Sequence, residues 1–186
     1  QSPTPSKKPR KTAACRKMSS TTNMSSKMKR VLIIGCPGSG KSTFARALHM
    51  KTGLPLYHMD MLYWNADKTA VPRDVFDARL DRILHADAWI LDGNYNRTME
   101  MRFAACDTVF FLDYATDVCL SGIAERRGKV RTDMPWFEEK EDAEFTAFVR
   151  NFNSDCRPTI LKLLETHPDL QQFVFYTRDE ADAYLQ

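Results

Sequence analysis

From Arg30 onward, short apolar runs alternate with stretches in which apolar residues recur every three or four positions. Compact apolar runs suit buried strands, and the longer recurrence suits helices with one buried face. The runs place strands at Val31–Ile34, Leu56–Met59, Trp89–Leu91, Thr108–Leu112 and Phe173–Tyr176. Between them, Phe44, Ala47 and Leu48 mark a helix that stops at Gly53, and Phe76, Leu80, Ile83 and Leu84 mark a second. Val118, Leu120, Ile123 and Ala124 mark a third. Asp133, two residues before Pro135, reads as an N-cap with proline near the first helical position. It is expected to open a long helix through Phe145, Phe148, Val149 and Phe152, which Arg157-Pro158 kinks or divides from Ile160–Leu164. Strand and helix alternate, which predicts an α/β fold with a parallel sheet covered on both faces. No internal repeat is present.

Composition changes this picture at one end. The chain has 186 residues and is 43% hydrophobic, enough for one domain with a proper core. Residues 1–30 hold nine Lys or Arg and no acid, whereas the rest holds 18 basic against 24 acidic residues, a net of −6. The formal +3 therefore belongs to the tail, and a nucleic-acid-binding body with a broad basic face is excluded. Residues 1–27, rich in Ser, Thr, Pro and Lys, are expected to be a disordered basic tail, with the folded domain at 28–186. A leader, an organelle-targeting segment and an interaction arm compete as its origin. The start at Gln1 and the position of Met28 just before the first strand favour a leader or processed extension. No run approaches the roughly 20 apolar residues of a membrane-spanning helix. A cytoplasmic protein is expected, or an organellar one if the tail is a targeting segment. Cys15, Cys36, Cys106, Cys119 and Cys156 show no metal-binding or disulfide spacing. Cys36 is either a reactive thiol beside backbone amides or a small residue that fits its loop.

The strongest chemical signal is Gly35-Cys36-Pro37-Gly38-Ser39-Gly40-Lys41-Ser42-Thr43. It satisfies G-x-x-x-x-G-K-[ST] between an apolar strand and an amphipathic helix, the context a phosphate-binding P-loop requires. Gly35, Gly38, Ser39 and Gly40 let backbone amides turn toward phosphates, and the helix start adds its partial positive charge. Lys41 is expected to bridge the β- and γ-phosphates, Ser42 to ligate magnesium, and Thr43 to lie near the α-phosphate. ATP and Mg²⁺ are the implied cofactors.

In open α/β sheets ligands sit beyond the carboxyl ends of the strands. After the second predicted strand come His58, Asp60 and Trp64. Asp60 is read as orienting or deprotonating an acceptor, the alternative being a turn cap; His58 and Trp64 are core or wall residues, with Trp64 near the expected acceptor. After the third comes Asp92-Gly93-Asn94-Tyr95, where Asp92 follows apolar residues as a magnesium carboxylate does. Asn94 and Arg97 are candidate substrate contacts, with an exposed helix start as the alternative for Arg97. Beyond the fourth strand and its helix, the arginine-rich segment at about 126–135 is expected to form a short lid. Arg126 and Arg131 are its candidate catalytic cations, with Arg127 in reserve. Arg157 either reaches the same phosphates or pairs with a surface acid. Arg178, after the fifth strand, is placed beside the nucleotide base.

These segments together, Gly35–Thr43, His58–Trp64, Trp89–Tyr95 and the arginines before Asp133-Met134-Pro135, resemble the adenylate-kinase-like P-loop proteins labelled topology modulation proteins. The resemblance spans nearly everything after Met28. It implies a P-loop NTPase of nucleoside-monophosphate-kinase type, a three-layer sandwich with a five-stranded parallel sheet in the order 2-3-1-4-5 and a lid. Adenylate kinases carry Asp-Gly-Phe-Pro-Arg after the third strand; Asp92 to Arg97 lacks the proline and sets the arginine one residue later.

Two functions compete. One is an ATP-dependent phosphotransferase acting on a nucleotide or other small acceptor, with a nucleotide as the first expectation. The other is a nucleotide-dependent regulatory or DNA-topology-associated protein that touches nucleic acid through its basic tail. Steep salt sensitivity would mark such contact as phosphate-driven.

Overall fold

In the computed structural model, residues 28–137 and 140–186 are described; the basic tail lies outside them. The chain runs β1 (Arg30–Gly35), α1 (Lys41–Thr52), β2 (Leu56–His58), α2 (Met59–Tyr63), α3 (Arg73–Leu84) and β3 (Trp89–Asp92). It continues through α4 (Met99–Ala105), β4 (Thr108–Leu112), α5 (Thr116–Arg126), α6 (Ala143–Asp155), α7 (Arg157–Thr166), β5 (Gln171–Phe175) and α8 (Arg178–Tyr184). A single 3₁₀ turn at Asn96–Thr98 leads into α4.

The five strands form one parallel sheet in the order β2-β3-β1-β4-β5. Burial follows that order. β3 and β4 are buried at every position and β1 at all but Arg30, whereas the edge strands β2 and β5 are mostly half-buried. Strands sandwiched by helices on both faces have no solvent side, hence continuous apolar runs rather than alternation. One face packs Phe44, Phe110, Phe173 and Tyr184 together, with Phe110 and Phe173 stacked at 4.8 Å. Such aromatic pairs add to the area they bury. Gly53 ends α1 in the left-handed conformation at φ 71, donating to the His49 carbonyl.

One predicted helix start is wrong. Asp133 opens no helix: α6 begins ten residues later at Ala143, where the Asp142 carboxylate accepts the Phe145 amide at 3.0 Å. The Asp133 carboxylate is buried against Arg131 instead, and that pairing outweighs the local capping preference. Arg157-Pro158 does divide α6 from α7. Among the described residues no helix is long and apolar enough to cross a membrane.

Candidate active site

Where β1 ends, the chain wraps into a loop closed by Ser39 N–H donating to the Cys36 carbonyl at 3.1 Å. Gly40 is the N-cap of α1 at φ 88, a conformation that suits glycine, and no side chain caps the helix. A Cβ on Gly40 would meet nothing within 4 Å, so the loop faces open space and the first amides of α1 are available to an anion. The opposite side of the loop is packed tight. A Cβ on Gly38 would lie 2.0 Å from the Cys119 carbonyl oxygen, and one on Gly122 would lie 2.0 Å from the Gly38 carbonyl oxygen. The P-loop is therefore seated flush on α5. Lys41 donates to the Cys36 carbonyl at 3.2 Å. Burial pushes its pKa down, while neighbouring Asp92, Cys36 and Asp60 oppose that shift.

The ends of β2 and β3 supply the facing wall. His58 and Asp92 are register partners in the parallel pair, and His58 Nδ1 lies 2.8 Å from Asp92 Oδ2. Facing a carboxylate, Nδ1 is the donor. The other carboxylate oxygen, Oδ1, is buried without a hydrogen-bond partner. Asp60, on the short α2, accepts the Tyr95 hydroxyl at 2.6 Å. Burial raises the Asp60 pKa above its ordinary value, and it drives the Tyr95 phenol well above its own.

Asn94 belongs to the same wall but its amide is committed to the P-loop. Its Oδ1 accepts the Gly35 amide at 3.1 Å and its Nδ2 donates to the Gly35 carbonyl at 2.6 Å. Arg102, fully buried on α4, shapes this turn. It donates to the carbonyls of Gly93 (2.7 Å), Asn94 and Tyr95 (3.0 Å) and holds Tyr95 at φ 43. Burial lowers its pKa to about 9. Sequence reading missed Arg102 because an arginine inside a short amphipathic stretch gives no sign that it points inward.

Two cavities open on these surfaces. One, of about 770 Å³, is lined by Gly38–Thr43, by the Lys129–Asp133 segment and by Arg178. The other, of about 400 Å³, is lined by Asp60, Trp64, Asp92, Asn94, Tyr95, Phe145 and Phe148 among others. Lys41, Ser42, Arg126 and Arg131 line both. The segment after α5 borders both through Arg131, and beyond it Trp136 meets Trp64 edge-on at 6.2 Å; Arg126, the last residue of α5, lies over the Phe145 ring at 5.4 Å. Asp133 anchors that segment. Burial acts to raise its carboxyl pKa, but Arg131 and the Ser42 hydroxyl outweigh it and hold the pKa well below the usual range. Arg46 Nη1 approaches the same carboxylate at 3.7 Å.

Of the sequence-predicted residues, Lys41, Ser42, Asp60, Trp64, Asp92, Asn94, Arg126 and Arg131 converge on the smaller cavity. Gly38, Ser39, Gly40, Thr43 and Arg178 line the larger, and Gly35 sits behind them against Asn94. Arg97 and Arg157 line neither. Arg97 pairs with Asp77 on α3, and Arg157 pairs with an acid as the alternative has it, through two hydrogen bonds of 2.8 Å to Asp113, but that carboxylate is buried just after β4 and not on the surface. Reactivity of Cys36 is not supported either. Its side chain is buried, and hydrogen bonding with Cys119 together with burial pushes its thiol far above the ordinary range.

The residues present fit Mg-ATP. Uncapped amides at α1, a loop open to space at Gly40, a lysine beside carboxylates, and an unsatisfied Asp92 oxygen in the cavity that Ser42 also lines supply anion and hard-cation partners.

No protein-family model matches the chain, and no curated protein matches it. Solved structures do. A shikimate kinase from Acinetobacter baumannii in complex with shikimate superposes with a TM-score of 0.57 at 15% identity, covering 86% of this chain and 92% of that one. A shikimate kinase from Bacteroides thetaiotaomicron gives 0.52 at 17% identity, with 86% and 95% covered. At such identities the likeness concerns architecture, and with the observed strand order it shows that this chain has the fold of the P-loop kinases.

Proposed function

We propose that the protein is an ATP-dependent phosphotransferase that moves the γ-phosphoryl group of Mg-ATP to a small-molecule acceptor. One observation carries this reading: Lys41, Ser42, Arg126 and Arg131 line both cavities, so a donor in the larger and an acceptor in the smaller meet at a seam of positive charge. A motor or switch needs no second cavity beside its phosphates. The two solved neighbours named above are kinases of a small molecule, and the adenylate-kinase-like resemblance points the same way. The regulatory alternative draws on the basic tail, outside the described residues.

In this reading the amides of Gly38–Lys41 and the Lys41 ammonium bind the phosphates, and Arg178, which lines the same cavity, flanks the nucleotide. Ser42 and Asp92 hold magnesium, which neutralises phosphate charge when bound. His58 keeps Asp92 oriented through its hydrogen bond. On the acceptor side Tyr95 fixes Asp60 Oδ1, leaving Oδ2 to take the proton of an acceptor hydroxyl. That proton leaves as the acceptor oxygen bonds to the γ-phosphorus and the bond to the β–γ bridging oxygen breaks, giving ADP and a phosphate ester. Lys41, Arg126 and Arg131 face the charge that spreads over the migrating group. The segment bearing Arg131 acts as the lid and excludes water.

The test is acceptor-dependent ADP formation together with ATP binding by calorimetry. Wild-type protein is expected to bind Mg-ATP, and Lys41→Ala to weaken it by about 10- to 100-fold, the worth of a charged hydrogen bond. Wild-type affinity in Lys41→Ala, or nothing beyond slow hydrolysis across a broad acceptor panel, overturns the assignment.

A further inference from the structure

We propose that the acceptor is an alcohol built on a flat, apolar ring scaffold and carrying no anionic group. The inference rests on the kinase reading and deepens its acceptor side. Among the described residues, the cations of the smaller cavity are Lys41, Arg126 and Arg131, and all three also line the donor cavity. They stand where the migrating phosphoryl group needs them. The remainder of the wall presents two carboxylates, Asp60 and Asp92, and no lysine or arginine beyond those three.

Arg97, Arg102 and Arg157 are engaged elsewhere. Arg97 is held by Asp77 and Arg157 by Asp113, and neither reaches the cavity. Arg102 is spent on the backbone carbonyls of residues 93–95. With Asp92 given to magnesium, a nucleoside monophosphate would therefore bring its phosphate up to Asp60 with only the donor's own cations to offset the repulsion. Its phosphate oxygen also needs no base, whereas a hydroxyl does, and Asp60 held by Tyr95 is placed to be one.

The scaffold follows from the other wall. Trp64 is fixed by edge contacts to Tyr63 at 4.8 Å and to Trp136, and it shares the cavity with Tyr95, Phe145 and Phe148. Phe148 is 40% exposed, so ring burial on it is a gain still to be made. A cavity of about 400 Å³ admits a ring with a few substituents.

Matched acceptor pairs test the proposal on the full chain: a nucleoside against its 5′-monophosphate, and 4-hydroxyphenethyl alcohol against 4-hydroxyphenylacetate. Binding is measured by calorimetry with magnesium and a non-hydrolysable ATP analogue present, and transfer by ADP release with ATP. The uncharged member is expected to bind at least about tenfold more tightly in each responding pair and to carry the turnover. Phe148→Arg, which plants a cation on the exposed part of the wall, is expected to shift that ratio toward the anionic member by about tenfold. A preference for the anionic member, no binding by either member of both pairs while the analogue is bound, or an unchanged ratio in a folded Phe148→Arg protein overturns this inference alone. Failure of the analogue itself to bind overturns the kinase reading.

Discussion

Asp60 carries its raised pKa because burial penalises the charged form more than Lys41 and Arg131 favour it. As a base it must be ionised, so kcat/KM for an alcohol acceptor is expected to climb with pH through an apparent pKa above the ordinary carboxylate value of about 3.9. Asp60→Asn should lower kcat by about 10²- to 10⁴-fold and remove that limb. Its thermal midpoint should not fall, since a buried charge is being deleted. Asp133 has the opposite sign. With its folded pKa held below the unfolded one, it stabilises the fold above pH ~4 and loses that contribution as pH drops toward the folded value. Asp133→Asn should therefore flatten the fall in thermal midpoint between pH ~5 and ~2.5, measured by circular dichroism. At this scale the convergence of Lys41, Ser42 and Asp92 on one cavity was legible, because they are tied to a motif and a strand end. Arg97 and Arg157 were not: their partners Asp77 and Asp113 lie 20 and 44 residues away, and no local pattern announces them.

Elements were read well where an apolar run or a period sustained itself. Thr108–Leu112 matches β4 at both ends, β1 extends one residue beyond expectation at each end, and β3 extends one at its carboxyl end. Short pieces such as α2 and α4 escaped, since five to seven residues give too few turns for a period to show. The least legible contact between elements is the seat of the P-loop on α5. Gly122 sits inside a helix at ordinary dihedrals, so its need for a missing side chain appears only from the 2.0 Å approach a Cβ would make to Gly38. Gly122→Ala should push the loop off its seat and weaken Mg-ATP binding by at least about tenfold, even though alanine favours helix. Ser121→Ala, exposed on the same helix, should leave affinity unchanged. Calorimetric titration of both variants distinguishes a packing effect from a helix-propensity effect.

For the whole molecule, strand order came from resemblance rather than from periodicity, because apolar runs say that strands are central without saying who neighbours whom. The order places β3 beside β1, so the turn after β3 meets the P-loop directly. There Asn94 grips Gly35 by both its amide and its carbonyl. In the proposed kinase, a loop that closes on phosphates and a loop that borders the second cavity are tied by these two bonds, which would make the two ligands thermodynamic partners. Occupancy of either site would then prepay part of the ordering cost of the other, and by linkage the benefit would be equal in both directions. Asn94→Ala should cut that cooperativity, so that the affinity for an acceptor measured with and without the ATP analogue becomes nearly the same. A cell supplying abundant ATP would then keep wild-type protein primed for scarce acceptor, with Asn94 setting how strongly.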